Sequence, residues 1–245
     1  MAVQDDGAPE GVRSLRCVHE YIIRHVGNSK ARIYEAGGGS CSFLPLAELN
    51  SPDVLVVDID ADQLSRNQYA KRKVLGDIQN FPVEPASFDI VVCYNVIEHL
   101  AAPDAAIRSF FDALAPGGLL FLAAPGPHSL TGMITKYTPH FVHVLAYKYI
   151  LGRVTAGQPG RPPFRTVYHP LISPVRLLRF CRNLGFETVY WCEYESPHYA
   201  WVVASRPIIG RALRLTAAVL NLLWFGKRDF TKGDYHLLVK KPDGI

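Results

Sequence analysis

Three acids and one run of glycines hold most of the chemistry that this sequence could do. Glu35 follows the short stretch Ile33-Tyr34 and stands just ahead of Gly37, Gly38 and Gly39. Glycine has no Cβ, so such a turn can take positive φ and let a ligand touch the backbone. A turn of this kind between a strand and a helix also leaves unpaired N–H groups facing whatever binds. A carboxylate at this place repels a pyrophosphate and attracts an ammonium or sulfonium. The dinucleotide pattern G-x-G-x-x-G does not fit, because its last position is Ser42. Asp58 closes the apolar run 53–57, about 20 residues beyond the turn, where a strand-end acid can accept from ribose hydroxyls. Asp77 ends the next short apolar stretch and could accept from an adenine amino group, with Ile78 against the ring. Each feature has a plainer alternative: a tight turn, an ordinary strand end, a loop aspartate.

Histidine suits a base near neutral pH. His128, His140, His143 and His169 all fall in 125–170, where the regular pattern breaks down. His140, His143 and His169 are the candidate bases, and the first two are three residues apart, so they can share a helix face. A capping or packing role stands beside the catalytic one for each.

The elements that must position these groups follow from apolar spacing. Helical periodicity predicts helices at 12–26, 43–49, 61–71, 105–114 and 173–184. Apolar runs predict strands at 32–36, 53–60, 74–78, 86–95, 119–123, 187–194 and 235–240. Alternating strands and helices specify an α/β, doubly wound sheet with ligands at the strands' carboxyl ends. The chain has 245 residues, of which 49% are apolar and 20% charged, which suits a single α/β domain with a substantial core. The net charge of +4 does not by itself imply nucleic acid. The five cysteines include no C-x-x-C pair, so neither a metal site nor a disulfide framework is indicated. Residues 1–11 read as a frayed tail without a signal-peptide core, and the chain reads as cytoplasmic.

The order of the motifs is distinctive. Glu35-Ala-Gly37-Gly-Gly39, Val57-Asp58-Ile59-Asp60, Gly76-Asp77-Ile78, Ser87-Phe88-Asp89-Ile90-Val91, Asn95-Val96-Ile97-Glu98-His99-Leu100 and Leu114-Ala-Pro116-Gly117-Gly118 follow one another over 30–125. This series resembles the class I S-adenosylmethionine-dependent methyltransferases, in particular the subgroup with quinone-biosynthesis and other small-molecule enzymes. The resemblance implies a Rossmann-like sheet, mostly parallel, with a final antiparallel strand and helices on both faces. It implies S-adenosylmethionine as cofactor. Glu35, Gly37, Gly38 and Gly39 would face its amino-acid end, Asp58 and Ile59 its ribose and adenine, Asp77 and Ile78 its adenine, and Asn95 its methionine portion. Glu98 and His99 read as structural. Cys41 replaces the family's usual third glycine. The Asp/Asn-Pro-Pro-Tyr tetrad of many nucleic-acid and protein amino methyltransferases is absent. The chain thus divides into a cofactor core (12–125), a lid or acceptor insertion (126–170) and a C-terminal return (171–245) within one domain.

No acid occurs between Asp112 and Glu187, while Lys136, Lys148, Arg153, Arg161, Arg165 and Arg176 do. A cationic, aromatic lid suits a hydrophobic acceptor bearing a carboxylate or phosphate, methylated first of all at oxygen. A solvated basic face is the alternative. Rival functions are an RNA methyltransferase (nucleic acid being disfavoured), a nicotinamide-dependent oxidoreductase and a membrane-associated cofactor-binding protein without turnover. Residues 207–225 read as a helix capped by Ser205, apolar nearly all round except for Arg211, Arg214 and Asn221. Such a helix must be covered by a lid, a second subunit or lipid. It is short of the roughly 20 apolar residues of a membrane span, so peripheral contact is the form of membrane association that it allows.

Overall fold

Residues 7–158 and 161–244 are described in the computed structural model of the chain. The continuous apolar runs become strands buried on both faces, β1 (Arg32–Ala36), β2 (Asp53–Asp58), β4 (Phe88–Tyr94) and β5 (Leu114–Pro125), while the short β3 (Arg72–Leu75) is a largely exposed edge strand. These five pair in parallel. β6 (Glu187–Glu195) and β7 (Lys232–Lys240) complete one sheet of order β3-β2-β1-β4-β5-β7-β6, with β7 antiparallel to both its neighbours. The strand order reverses at β1 and β4, and that switch point is where an open α/β sheet leaves a crevice.

Two helical layers cover the sheet. On one face, Val18 and Ile22 of α1 (Glu10–Val26) and Leu64 of α2 (Ala61–Arg66) pack on Ile33, Val56, Ile90 and Phe121. On the other, Ile107 and Phe110 of α3 (Pro103–Ala113) and Leu177 and Cys181 of α6 (Pro174–Leu184) pack on Tyr34, Val91, Leu120 and Leu237. A third, smaller cluster of Leu130, Tyr199, Ala217 and Phe230 ties α4 (Leu130–Tyr137) to α7 (Pro197–Ser205) and α8 (Pro207–Leu223). α5 (His140–Leu145) and one π turn (Ala146–Ile150) follow α4 within the insertion between β5 and α6.

Several expectations are corrected. Residues 43–49 hold no α-helix, only a 3-10 turn at Leu46–Glu48. Pro45 lacks a donor there, and Ser42 Oγ accepts the Leu44 N–H at 3.1 Å, which turns the chain locally. The helix expected over 61–71 stops at Arg66, because Asn67 leaves the helical path and its amide reaches back to Gly39 O at 2.7 Å. The third strand begins two residues early and ends at Leu75, so Asp77 lies in the loop beyond it. Ser205 caps nothing: its hydroxyl donates to Trp201 O, and Arg206 stands at the N-cap of α8. The tail expected at 1–11 falls mainly on residues 1–6, outside the described residues, and the chain is helical from Glu10.

Candidate active site

The glycine turn closes β1 over the end of β2. Gly37 has φ +74°, and its N–H donates to Val57 O at 2.7 Å. A Cβ there would lie 2.5 Å from the Val96 side chain, so the position excludes other residues twice over. The Gly39 N–H donates to Asp58 Oδ2 at 2.9 Å, and Asp58 Oδ1 accepts from the Asp60 N–H at 2.8 Å. Asp60 is itself the N-cap of α2, accepting from the Gln63 N–H. Asp58 therefore locks the turn to β2 and still keeps acceptor capacity, since a carboxylate has about four lone-pair sites.

Glu35 is 2% exposed. Ser42 Oγ donates to one of its oxygens and Tyr69 OH to the other. Burial pushes its carboxyl up, and these two donors pull it back. Asp77 is exposed and holds the Gln79 N–H at 2.9 Å. Gly76, the residue before it, donates to Asp58 O at 3.0 Å, so Glu35, the turn, Asp58 and Asp77 do share one edge of the sheet. Ile59 is 76% exposed there. Ile78 is different: it is buried with Val57 and Ile97, so its side chain serves the core and not an adenine-facing wall. Asn95 is exposed at the end of β4 in a left-handed conformation (φ +54°) that asparagine tolerates, and its N–H donates to Ala123 O at 2.8 Å.

The end of the crevice beside Glu35 is filled in this conformation, while Ile59, Asp77 and Asn95 are exposed. Phe43 stacks on Tyr94 with ring centroids 3.9 Å apart and planes 7° from parallel. The space left between Glu35, Gly37, Gly38, Cys41, Phe43 and Tyr94 is about 20 Å³, which fits a water and no nucleoside. A larger cleft of about 660 Å³, between residues 81–86 and α3, contains none of the predicted site residues. The groups in the crevice nonetheless suit a nucleoside with a cationic end: a buried carboxylate, a turn that a Cβ would fill, and strand-end acids beside it. The side chains that occupy the place of its cationic end are Ser42, on Glu35, and Phe43, on Tyr94.

Beyond β4, Glu98 is 4% exposed and one of its oxygens has no partner among the described residues. Burial raises its carboxyl to about 8. Its backbone carbonyl accepts the N–H groups of Val167 and Tyr168 at 3.0 and 3.2 Å, and His99 Nδ1 contacts Arg165 O at 2.8 Å. Residues 98 and 99 thus hold the stretch 165–168 in place, a structural role for Glu98 and His99. Among the candidate bases, His140 and His143 have rings 5.9 Å apart. Burial, then the neighbouring His140, lowers the His143 ring. His143 Nε2 lies 2.8 Å from Thr138 Oγ1, which is also within hydrogen-bond reach of Ile134 O. With the Thr138 hydroxyl on Ile134 O, Nε2 supplies the proton in that contact; with the hydroxyl turned to Nε2, the ring accepts there. His169 Nδ1 instead accepts the Leu171 N–H at 3.2 Å and caps a 3-10 turn.

Sequence reasoning missed the groups that hold the site from afar. Tyr69 and Asn67 reach the turn from a loop 28 to 34 residues away, and no local signal marks them. Ser42 had one, as the residue that breaks the dinucleotide pattern. It also missed a buried network on the row of Tyr94. His236 Nδ1 contacts Ser14 Oγ at 2.8 Å and its Nε2 contacts Tyr194 OH at 2.8 Å. Burial lowers this ring to about 3, so it stays neutral.

A doubly wound sheet with a glycine turn and acids at its strand ends defines a nucleoside-binding protein. The methyltransferase domain family matches residues 34–122. The ubiquinone biosynthesis O-methyltransferase of Neisseria meningitidis serogroup C is 30% identical over 179 residues, covering 69% of this chain and 68% of that protein. The enzyme of the same description from Xanthomonas euvesicatoria pv. vesicatoria is 30% identical over 196 residues, 74% of each chain. In overall shape the chain is similar to the Burkholderia thailandensis 1,6-didemethyltoxoflavin-N1-methyltransferase, solved with S-adenosylhomocysteine bound. That likeness has a TM-score of 0.53 and 14% identity, over 94% of this chain and 79% of the other. The chain belongs to the class I S-adenosylmethionine-dependent methyltransferases, and S-adenosylmethionine is its cofactor. That membership displaces the nicotinamide alternative.

Proposed function

We propose that this methyltransferase acts on an oxygen of a hydrophobic small molecule, and that the acceptor is a ring hydroxyl of the kind found in quinone precursors. The observation that carries this is the 30% identity over 179 residues with a ubiquinone biosynthesis O-methyltransferase. A match of that length reaches well past residues 34–122, into the part that would select an acceptor.

When bound, S-adenosylmethionine supplies an electrophilic methyl group on a sulfonium. This chain's own residues would bind, orient and deprotonate around it. Glu35 would exchange its Ser42 and Tyr69 donors for the cofactor's ammonium, which favours the charged carboxylate that burial alone disfavours. Asp58 would accept from the ribose hydroxyls and Asp77 from the adenine amino group, with Ile59 against the base. Asn95 would meet the methionine portion. The remaining catalysis is alignment of the acceptor oxygen behind the methyl group. His143 is the best supported of the three candidate bases, because burial and the neighbouring His140 lower its ring, which favours the neutral form that a base needs. Lys136, Lys148 and Arg153 in the lid suit a carboxylate or phosphate on the acceptor.

The test is methyl transfer from labelled S-adenosylmethionine to a catechol bearing a prenyl chain, read by mass spectrometry. O-methylation, lowered in His143→Gln with a changed pH profile, is the expected result. Transfer only to nitrogen or carbon acceptors, or to RNA, overturns the reading.

A further inference from the structure

We propose that the outward face of α8 docks on an anionic lipid surface. α8 is apolar on two opposite sides. One side is used by the fold: Gly210 and Ala217 are buried, and Leu213 and Leu220 pack toward Leu130, Tyr199 and Phe230. A Cβ on Gly210 would come within 2.7 Å of the Val203 backbone, so α7 and α8 are in close contact there. The other side lies half a turn round the helix and carries Ile208, Leu215, Val219 and Leu222. Of these, Ile208 is 86% exposed, Leu215 68% and Leu222 77%. Just past the helix, Phe225 is 87% exposed. Isolated exposed leucines mean little, but a contiguous apolar stripe along one helix marks an interaction surface.

Charge selects the occupant. No acid lies between Glu195 and Asp229, while Arg206, Arg211, Arg214, Lys227 and Arg228 do. Arg211 and Arg214 are exposed and flank the apolar stripe on one side. A second copy of this chain would bring the same cations face to face with no acid from either helix to offset them. An anionic bilayer offers what the stripe and its rim lack: apolar depth under a layer of negative headgroups. The helix has 17 residues and is about 26 Å long, so it would lie in the plane of the interface. Among the described residues, no helix is long and apolar enough to cross a membrane. The π turn lies beside this surface. Arg206 Nη2 donates to Ile150 O at 3.1 Å, and Tyr149, next to that carbonyl, is also exposed.

Flotation of the full chain with vesicles tests this. We expect it to rise with phosphatidylcholine vesicles containing phosphatidylglycerol, to stay down with phosphatidylcholine alone, and to be released by salt. Leu215→Glu with Leu222→Glu should abolish flotation. Arg211→Gln and Arg214→Gln should each weaken it about fivefold, or ~1 kcal/mol per cation. Both changes alter exposed side chains, so S-adenosylhomocysteine binding and melting temperature should be unchanged, which verifies the fold. Absence of flotation by the parent overturns the proposal. So does equal flotation with neutral and anionic vesicles, or a stable dimer that Leu215→Glu dissociates. No acceptor enters this experiment, so its outcome is independent of the methyl-transfer test.

Discussion

The two ends of this chain treat their polar and apolar groups in opposite ways. Around the glycine turn, the polar groups that matter are paired: Glu35 with Ser42 and Tyr69, Asp58 with Gly39 and Asp60, Asn67 with Gly39 and Ala70. Around α8, the apolar groups are left facing outward, Ile208, Leu215 and Leu222 among them. The first region is a preorganised cradle, in which each donor has one place to be. The second holds apolar area in reserve for a surface outside the chain. A preorganised site loses function to small displacements, whereas an exposed stripe can change by a whole side chain without harm to the fold. Substitutions should therefore separate the two regions cleanly.

Gly37→Ala should show the largest effect. A Cβ at this left-handed position meets Val96 at 2.5 Å. The conformational strain and the clash together should cost about 3 kcal/mol, seen as a lower denaturant midpoint. S-adenosylhomocysteine binding should be lost beyond calorimetric detection. If both survive, the turn is less rigid than the comparison requires.

Glu98→Gln comes next, because residue 98 lies outside both regions and links the core to the stretch before α6: its side chain is buried and its carbonyl accepts from Val167 and Tyr168. Burial raises its carboxyl to about 8, against about 4.3 in an unfolded chain. Between those values the folded state holds a proton that the unfolded state has released. Its contribution is thus greatest below about pH 4.3 and is lost as pH rises through 8. Glutamine keeps the shape and cannot ionise. The variant should match the parent below about pH 4 and exceed it by at least roughly 2 kcal/mol at pH 8 to 9 in urea titrations. A pH-independent difference would mean that Glu98 is solvated.

Asp58→Ala should weaken S-adenosylhomocysteine binding at least tenfold, about 1.4 kcal/mol, through the ribose and through the loss of the Gly39 N–H bond. This is also the part of the site that was most legible in the sequence, and the reason is local. An acid at the end of an apolar run and a glycine cluster after the run before it are readable because strand and turn fix both from neighbouring residues. The helix expected at 43–49 failed where two local signals competed, apolar spacing against Pro45 and the Ser42 hydroxyl. Ile78 was misplaced because its sequence position fixes closeness to the strand end and not the face on which it lands. Tyr69 and the contact of Ser14 with His236 were invisible for another reason. They join residues 34 and 222 positions apart, and only the assembled sheet brings them together. α7 was missed too, since Tyr199, Trp201 and Val203 alternate with neighbours that are themselves apolar.

The smallest expected effect bears on the segment that fills the cationic end of the cradle. Phe43 lies flat on Tyr94 and, with Ser42 on Glu35, fills the end of the crevice beside Glu35. Displacing Phe43 breaks an aromatic stack worth about 1 kcal/mol beyond its area, and that cost is subtracted from the observed affinity. Phe43→Ala removes the stack and leaves Glu35, the turn and Asp58 untouched. S-adenosylhomocysteine should then bind about fivefold tighter, with most of the gain in the association rate, because the barrier is that displacement. Ser42→Ala should act in the same direction and more weakly, since Tyr69 still holds Glu35. Weaker binding in Phe43→Ala would reverse the assignment and make Phe43 a wall of the bound site, so that the cradle is completed by this segment and not obstructed by it.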